Sequence, residues 1–170
     1  MDAAHTKNID SLTDHVNQYL TFMLGNEEYG VEILRVQEVK GWEAVRSIPN
    51  LPSYIKGVIN LRGQVIPIIC LRERLGMPLN SKTGTTVVIV LRVQTETDQS
   101  IIGIVADAVS EVYNIEESMM QPTPNLGSGV DVSFIRAVAT MNEKMVVLLE
   151  IDKLLQNAVP AATQQALNAK

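Results

Sequence analysis

GVINLRGQVIPIIC, residues 57–70, is a stretch of two apolar runs that meet at a charged turn. Seven of its fourteen residues are Val, Ile or Leu, and Arg62-Gly63 stands between the two runs. Two β-prone runs joined by two residues, the second of them glycine, predict a β-hairpin. The arginine in this turn has two explanations. It is either a solvated hairpin tip or a side chain held out for a partner.

Apolar residues occupy both faces of several predicted strands, among them VIPII (65–69), VVIVL (87–91) and MVVLL (145–149). A single open sheet cannot bury both of its faces without further layers. Short strands recur at intervals of roughly ten residues, and no long amphipathic helix separates them. The chain is therefore predicted to be all-β, with two small barrels packed together.

Local signals predict individual turns and elements. QYLTFML (18–24) alternates as a strand and precedes a tight turn at Gly25-Asn26, and the last hairpin turns at Asn142-Glu143. In VEILRVQEVKG (31–41), apolar β-branched residues recur every three positions, which favours a helix, while the valine content favours a strand. We expect a short helix that is followed by extended chain from near Glu38.

The composition is that of a globular chain without a strong charge bias. Of 170 residues, 46% are hydrophobic and only 4% aromatic, and the net charge is −5. The acidic balance argues against general binding to nucleic acid or to anionic membranes. No apolar run reaches the about 18 residues of a membrane span, no signal-peptide pattern is present, and one cysteine cannot form an internal disulfide. These features predict a cytoplasmic protein with polar tails at residues 1–17 and 157–170.

Histidine is missing from the predicted folded body, since His5 and His15 both lie in the N-terminal tail. Ser-His and Cys-His nucleophilic systems and HExxH metal sites are thereby excluded from the body. No Walker loop or GxGxxG motif follows a strand, and NLGSGV (125–130) is predicted to be a plain loop. The sequence therefore indicates a protein that works by contact, without catalytic residues, cofactor or metal.

Other chemically capable residues receive structural assignments. Cys70 ends an apolar strand with no histidine beside it, so it is predicted to be a buried hydrophobe and not a reactive thiol. Asp107 ends the strand IIGIVAD and is expected to serve a turn. The charged clusters at residues 27–28, 72–74 and 116–117 are predicted to be solvated faces. Met119 and Met120 are predicted to fill the core, with a partner surface as the alternative.

At YIKGVINLRGQVIPIICLRERLG the chain strongly resembles the CheW family of bacterial chemotaxis coupling proteins. EEYGVEILRVQEV is similar to the family's opening block, in which a Tyr-Gly pair precedes a Val-x-Glu-Val signature, here at residues 36–39. IIGIVADAVSEV resembles the family's Gly-x-x-x-Asp-x-Val segment at Gly103, Asp107 and Val109, and MVVLLEIDKLL is also typical. The resemblance extends over residues 18–155.

The resemblance implies a CheW-like domain over residues 18–156, built from two five-stranded SH3-like barrels with short helices and without enzymatic activity. The implied role is an adaptor that joins the cytoplasmic tip of methyl-accepting chemoreceptors to the regulatory domain of the histidine kinase CheA, at membrane-associated receptor arrays. It implies no cofactor, no nucleic-acid partner and no direct membrane insertion. Two alternatives stay open, a scaffold for a non-chemotactic kinase array and a barrel that binds a small ligand.

The resemblance also implies a partner-binding surface. A receptor helical hairpin is expected to lie in an apolar groove between the barrels with Arg62 and Glu38 at its edge, while strand ends and loops dock the kinase. Each valine that is carried over could equally be a core residue. The glycine could equally be needed only for its backbone geometry. The residues carried over are Val36, Glu38, Lys56, Gly57, Arg62, Val87 and Val105.

One residue departs from the family's pattern. Cys70 stands where the family usually has Asp, just before LRERLG (71–76), which predicts a single helical turn closed by Gly76. An aspartate there would cap the helix that begins at Leu71, and cysteine caps poorly. Some local stability is expected to be lost, with no change in partner binding.

Overall fold

The described residues form eleven strands, two short α-helices and three 3-10 turns. The computed structural model describes residues 17–43, 45–78, 83–94, 98–122, 132–156 and 158–159. The strands are β1 (Gln18–Leu24), β2 (Glu27–Glu32), β3 (Val36–Gly41), β4 (Ile55–Leu61), β5 (Gln64–Cys70), β6 (Val87–Gln94), β7 (Gln99–Ala106), β8 (Ala108–Asn114), β9 (Met120–Gln121), β10 (Ile135–Met141) and β11 (Lys144–Leu149). The helices are α1 (Leu71–Arg74) and α2 (Ile151–Leu155), and the 3-10 turns are Ile33–Arg35, Glu117–Met119 and Val132–Phe134. No described helix has the length and apolar character needed to cross a membrane.

The strands form two sheets. Along the chain, all strands of the second sheet, β3 to β7, lie between β2 and β8 of the first. The first has the order β8-β1-β2-β11-β10-β9 and the second β3-β6-β7-β5-β4. Each contains one parallel pair, β2 with β11 and β5 with β7, among antiparallel ones. The chain leaves the first sheet through the 3-10 turn Ile33–Arg35 and returns at Asp107, between β7 and β8.

Both sheets curl into barrels. In the second sheet, Arg46 follows β3 and exchanges two backbone hydrogen bonds of 2.9 Å with Val58 of β4, so the two edge strands are joined. In the first sheet, β8 and β9 are opposite edges, yet the chain connects them by a short segment that contains the 3-10 turn Glu117–Met119. That segment spans at most about 17 Å, whereas six strands laid flat would separate the edges by about 24 Å. We call the first sheet barrel 1 and the second barrel 2.

Three apolar clusters explain the strands that are apolar on both faces. One lies inside barrel 2 and another inside barrel 1, and the largest lies between the barrels. Along β6, Val88 and Val90 face the interior of barrel 2, while Ile89 and Leu91 face the inter-barrel core. β11 alternates in the same way between the interior of barrel 1 and the inter-barrel core. Each such strand therefore contributes to two cores.

The predicted all-β architecture of two packed SH3-like barrels is confirmed. Barrel 2 has five strands, and barrel 1 has five longer strands and the two-residue β9. The hairpins turn where the sequence predicted, and the first residue of each turn has a positive φ, +64° at Gly25, +52° at Arg62 and +52° at Asn142. Helix α1 begins at Leu71 as predicted, and buried Cys70 is its N-cap without a side-chain capping hydrogen bond.

Several predictions fall on residues outside the described part of the chain. They concern His5, His15 and the loop NLGSGV at residues 125–130, as well as most of both polar tails. At the C-terminal end, Ala158 and Val159 are buried in the inter-barrel core. The described core therefore extends two residues beyond position 157.

Candidate functional site

Edge strand β3 carries a β-bulge that places two valines on one face. Val36 is paired with Leu91 and Val39 with Ile89 of β6, and the register shifts between Val36 and Glu38. Because Ile89 and Leu91 both face the inter-barrel core, the bulge brings Val36 and Val39 to that same face despite their spacing of three. Val36 packs against the core, whereas Val39 is 40% exposed.

Edge strand β8 of barrel 1 repeats this arrangement. Val109 is paired with Phe22 and Val112 with Leu20 of β1, and a register shift again separates the two pairs. Phe22 and Leu20 face the inter-barrel core, so the two valines share that face. They are 39% and 50% exposed, respectively. Both barrels thus present half-exposed valines at an edge, on the side that faces the other barrel.

The two edges meet where the chain returns to barrel 1. Thr85, just before β6, donates a hydrogen bond of 2.9 Å from its Oγ1 to the carbonyl oxygen of Asp107, just before β8. Val87, the first residue of β6, packs against the inter-barrel core and is paired with Gly41 at the end of β3. These two edges and the start of β6 carry three exposed and two partly buried valines, and we treat them as a candidate protein-docking surface. We call Val36, Val39, Val87, Val109 and Val112 the valine surface.

An ion pair lies beside the valine surface, on the opposite face of β3. Arg62, at the tip of the β4–β5 hairpin, donates from Nη1 to Oε1 of Glu38 at 2.7 Å. The Arg62 side chain is 73% exposed, so the pair contributes at most about 1 kcal/mol to folding. A left-handed backbone on a residue other than glycine costs about 1–2 kcal/mol. Turn geometry and folding therefore give no reason to have arginine here, which favours a role in contact.

The other predicted site residues lie deeper in barrel 2. Lys56 makes an ion pair with Glu73 of α1. Gly57 has a φ of +147°, and a Cβ there would lie 2.3 Å from the carbonyl oxygen of Arg46. Val105 is buried inside barrel 2. The structure thus joins Glu38 with Arg62 and sets Val36 and Val87 on one sheet face, but it brings Lys56, Gly57 and Val105 to neither place.

A partly buried ionic contact joins the barrels next to this surface. Asp107 accepts hydrogen bonds from Nε of Arg72 at 3.2 Å and from its Nη2 at 2.5 Å. It also accepts one from the backbone N–H of Gly25 at 2.7 Å. The hydrogen bond to Asp107 is the main cause that raises the pKa of the Arg72 guanidinium above its ordinary value. Barrel 2, through α1, and the first turn of barrel 1 are therefore attached to the residue at which the chain crosses.

Comparison with known proteins agrees with this architecture. A family model described as CheW-like domain matches residues 18–159. The chain belongs to the CheW family.

Named relatives of the CheW family cover most of the chain. It is 40% identical over 140 residues to "Chemotaxis protein CheW" of Klebsiella aerogenes, covering 82% of each chain. It is 35% identical over 146 residues to "Probable chemotaxis protein CheW" of Rhizobium etli, covering 86% of this chain and 92% of that one. Among solved structures, the scaffolding protein TtCheW from Thermoanaerobacter tengcongensis has a TM-score of 0.75 and 30% identity, over 86% of this chain and 92% of that one.

Sequence reasoning missed part of this candidate site and misjudged some charged residues. Val39, Val109 and Val112 were not predicted as site residues, because a bulge leaves no local pattern. The Asp107–Arg72 contact was not predicted either, because its residues are distant in sequence. The prediction of a solvated face at 72–74 is wrong, since Arg72 pairs with Asp107 and Arg74 lies over the rings of Tyr54 and Phe134 at 5.3 and 4.9 Å.

The predictions for the acidic pairs and the paired methionines are only partly correct. Glu28 is buried, against the prediction for residues 27–28, whereas Glu116 and Glu117 are exposed as predicted. Met119 is 40% exposed, and Met120 packs against the core of barrel 1. No group of three or more His, Cys, Asp and Glu side chains in the described part of the chain is placed to hold a metal.

Proposed function

We propose that this chain is a non-enzymatic adaptor that couples methyl-accepting chemoreceptors to the histidine kinase CheA in cytoplasmic, membrane-associated arrays. Membership of the CheW family, whose named relatives are chemotaxis proteins, is the observation that carries the proposal. The valine surface supports it, because it supplies a docking area that is not needed to close either barrel. Buried apolar side chains lie inside both barrels, which favours the adaptor over the alternative of a ligand-binding barrel.

The receptor tip is the partner we assign to the valine surface. An amphipathic helix presents apolar side chains at positions i, i+3, i+4 and i+7, and such a stripe fits an apolar strip between two barrels. Apolar contact would supply affinity. The Glu38–Arg62 pair at the margin would set orientation, since rim charges affect encounter and register more than affinity.

The kinase regulatory domain is assigned to the hairpin end of barrel 2, where Arg62 is displayed. Arginine suits such contacts because its planar guanidinium can bind a carboxylate with two parallel hydrogen bonds. Lys56, Gly57 and Val105 act on this surface indirectly in our proposal. Lys56 holds α1 through Glu73, Gly57 permits the closure of barrel 2 at Arg46, and Val105 fills its interior.

The experiment is a quantitative pull-down of the full chain with the kinase regulatory domain and, separately, with a receptor-tip fragment. Arg62→Glu is expected to weaken capture of at least one partner about fivefold or more while the chain stays folded. The swap of Glu38→Arg with Arg62→Glu restores the internal ion pair. If Arg62 contacts a partner, the swap does not restore binding, and if only the internal pair matters, it does.

The matched control is Arg136→Glu on barrel 1. Arg136 makes a comparable surface ion pair, from Nη1 to Oε1 of Glu32 at 2.6 Å, away from the β4–β5 hairpin. Arg136→Glu should leave binding to the kinase domain and to the receptor fragment unchanged. Val39→Lys tests the valine surface and should weaken the receptor fragment selectively. Failure of the unmodified chain to bind either partner would overturn the adaptor proposal, and turnover of a phosphate or acyl ester by the purified chain would overturn its non-enzymatic part.

A further inference from the structure

The parallel pairing of β2 and β11 places two hairpin turns at the same end of barrel 1. Glu28 is the register partner of Val146, so both strands begin at this end. The turns that precede them, at Gly25-Asn26 and Asn142-Glu143, therefore lie together. A pocket of about 340 Å³ opens there, lined by Met23, Asn26, Glu27, Glu28, Lys144, Met145 and Val147.

Glu28 is a buried carboxylate in the wall of this pocket. Its residue is 5% exposed, and its Oε2 has no hydrogen-bond partner. Glu28 is also absent from the six ion pairs of the described residues. Gly30 lies two positions after Glu28 in β2 and is therefore on the same face of the strand. A Cβ at Gly30 would contact Leu148, which belongs to the core of barrel 1. Glu28 therefore lies on the interior face of barrel 1. A buried charged oxygen without a partner is unfavourable, and a cation that reached it would recover the lost interaction.

The rest of the pocket suits an aliphatic stem. Met23, Met145 and Val147 are apolar, and Met145 is 49% exposed at the edge of the molecule. Methionine is unbranched and flexible, so it can move to admit a side chain and then pack along it. Lys144 also lines the pocket, but it makes no ion pair with Glu28. The pocket thus places apolar side chains close to a carboxylate.

We propose that this pocket receives one arginine side chain of a protein partner, with its guanidinium paired to Glu28. Arginine fits better than lysine because its guanidinium is more weakly hydrated and can donate two parallel hydrogen bonds to one carboxylate. The stem would lie along the methionines, as long basic side chains do on apolar surface. This site lies on barrel 1 and goes beyond the adaptor contacts proposed above, which involve the valine surface and Arg62.

The test uses the isotope-labelled full chain and a small probe, N-acetyl-arginine N-methylamide, titrated at constant ionic strength. Amide NMR shifts are expected at residues 25–28 and 144–147. The neutral isostere N-acetyl-citrulline N-methylamide should produce none of comparable size. Glu28→Gln should weaken probe binding about tenfold or more, because a hydrogen bond to a charged group is replaced by a neutral one.

Two further variants keep the result interpretable. Glu143→Gln removes a charge from the neighbouring turn, which does not line the pocket, and should bind the probe as the unmodified chain does. Met145→Lys places a competing cation at the entrance and should reduce binding even if Glu28→Gln does not fold. Without probe, Glu28→Gln should be at least as stable as the unmodified chain, because it removes an unpartnered buried charge. Equal shifts with the citrulline probe, no shifts at these residues, or unchanged binding in the Met145→Lys chain would each overturn the proposal.

Discussion

Gly57→Ala is expected to damage the closure of barrel 2 and not merely a binding contact. Gly57 has a φ of +147°, which L-residues rarely adopt, and an added Cβ would lie 2.3 Å from the carbonyl oxygen and 2.8 Å from the carbonyl carbon of Arg46. Both of these are backbone atoms, so no side-chain rotation can relieve the clash. The segment that carries Arg46 must move away from β4, and its two hydrogen bonds with Val58 must lengthen or break.

The size of the effect follows from these two contributions. Backbone strain at a disfavoured φ costs about 1–3 kcal/mol. Each lost hydrogen bond costs about 0.5–1.5 kcal/mol. Together they predict a decrease of about 2–6 kcal/mol in the free energy of unfolding. Since domains are stable by only about 5–15 kcal/mol, this is a large share of the total.

Urea unfolding followed by circular dichroism measures the change. The matched control is Gly41→Ala in β3, where an added Cβ meets nothing within 4 Å and the backbone is not in the left-handed region. It should change the free energy of unfolding by less than about 1 kcal/mol. If Gly57→Ala is as stable as Gly41→Ala and yet fails to bind a partner, our assignment of Gly57 to barrel closure is wrong. Gly57 would then be a contact residue.

Three other perturbations test the ionic contact, the buried tyrosine and the short helix. Arg72→Met should lower the free energy of unfolding by about 2–3 kcal/mol, because Asp107 loses a charged partner, and Arg72→Lys should recover only part of it. Equal stability of the Met variant and the unmodified chain would contradict this. Burial and the hydrogen bond to Glu27 raise the pKa of Tyr29 above its ordinary value of 10.0, so the unfolded chain loses this proton first. Stability should therefore be intact below about pH 10 and decrease above it, and Tyr29→Phe should flatten that decrease in a pH series of unfolding curves. Cys70→Asp should stabilise the chain by about 0.5–1 kcal/mol relative to Cys70→Ala, because only the carboxylate can cap α1, and a thermal shift in the opposite direction would refute the capping argument.

Much of the fold was predictable because strand patterns and tight turns are local. The apolar runs 65–69 and 87–91 indicated strands with two buried faces, which only a second packed layer can explain. Arg62-Gly63 indicated its hairpin because glycine permits the left-handed turn. By contrast, the three-residue spacing of Val36 and Val39 was ambiguous between helix and strand, and a bulge, which leaves no compositional mark, accounts for it.

The part that could not be predicted depends on contacts between distant residues. Asp107 is 35 residues from Arg72 and 82 from Gly25, so nothing near it in sequence indicated an ionic contact between the barrels. Glu28 was expected to be solvated because glutamate is seldom buried, and only the pairing of β2 with β11 places it in the wall of barrel 1. The valine surface, which we propose as a docking surface, has the same origin, since its valines come from β3, β6 and β8.

The two short crossings between the barrels also bear on how force and motion pass through the molecule. Among the described elements, one crossing is the three-residue turn Ile33–Arg35 and the other is Asp107. The largest apolar cluster lies between the barrels, and the pair of Arg72 with Asp107 further restrains the second crossing. A partner that displaces one barrel should therefore carry the other with it. In the array that we propose, the two barrels would move as one rigid body. A displacement imposed at one partner contact would then be transmitted to the other contact.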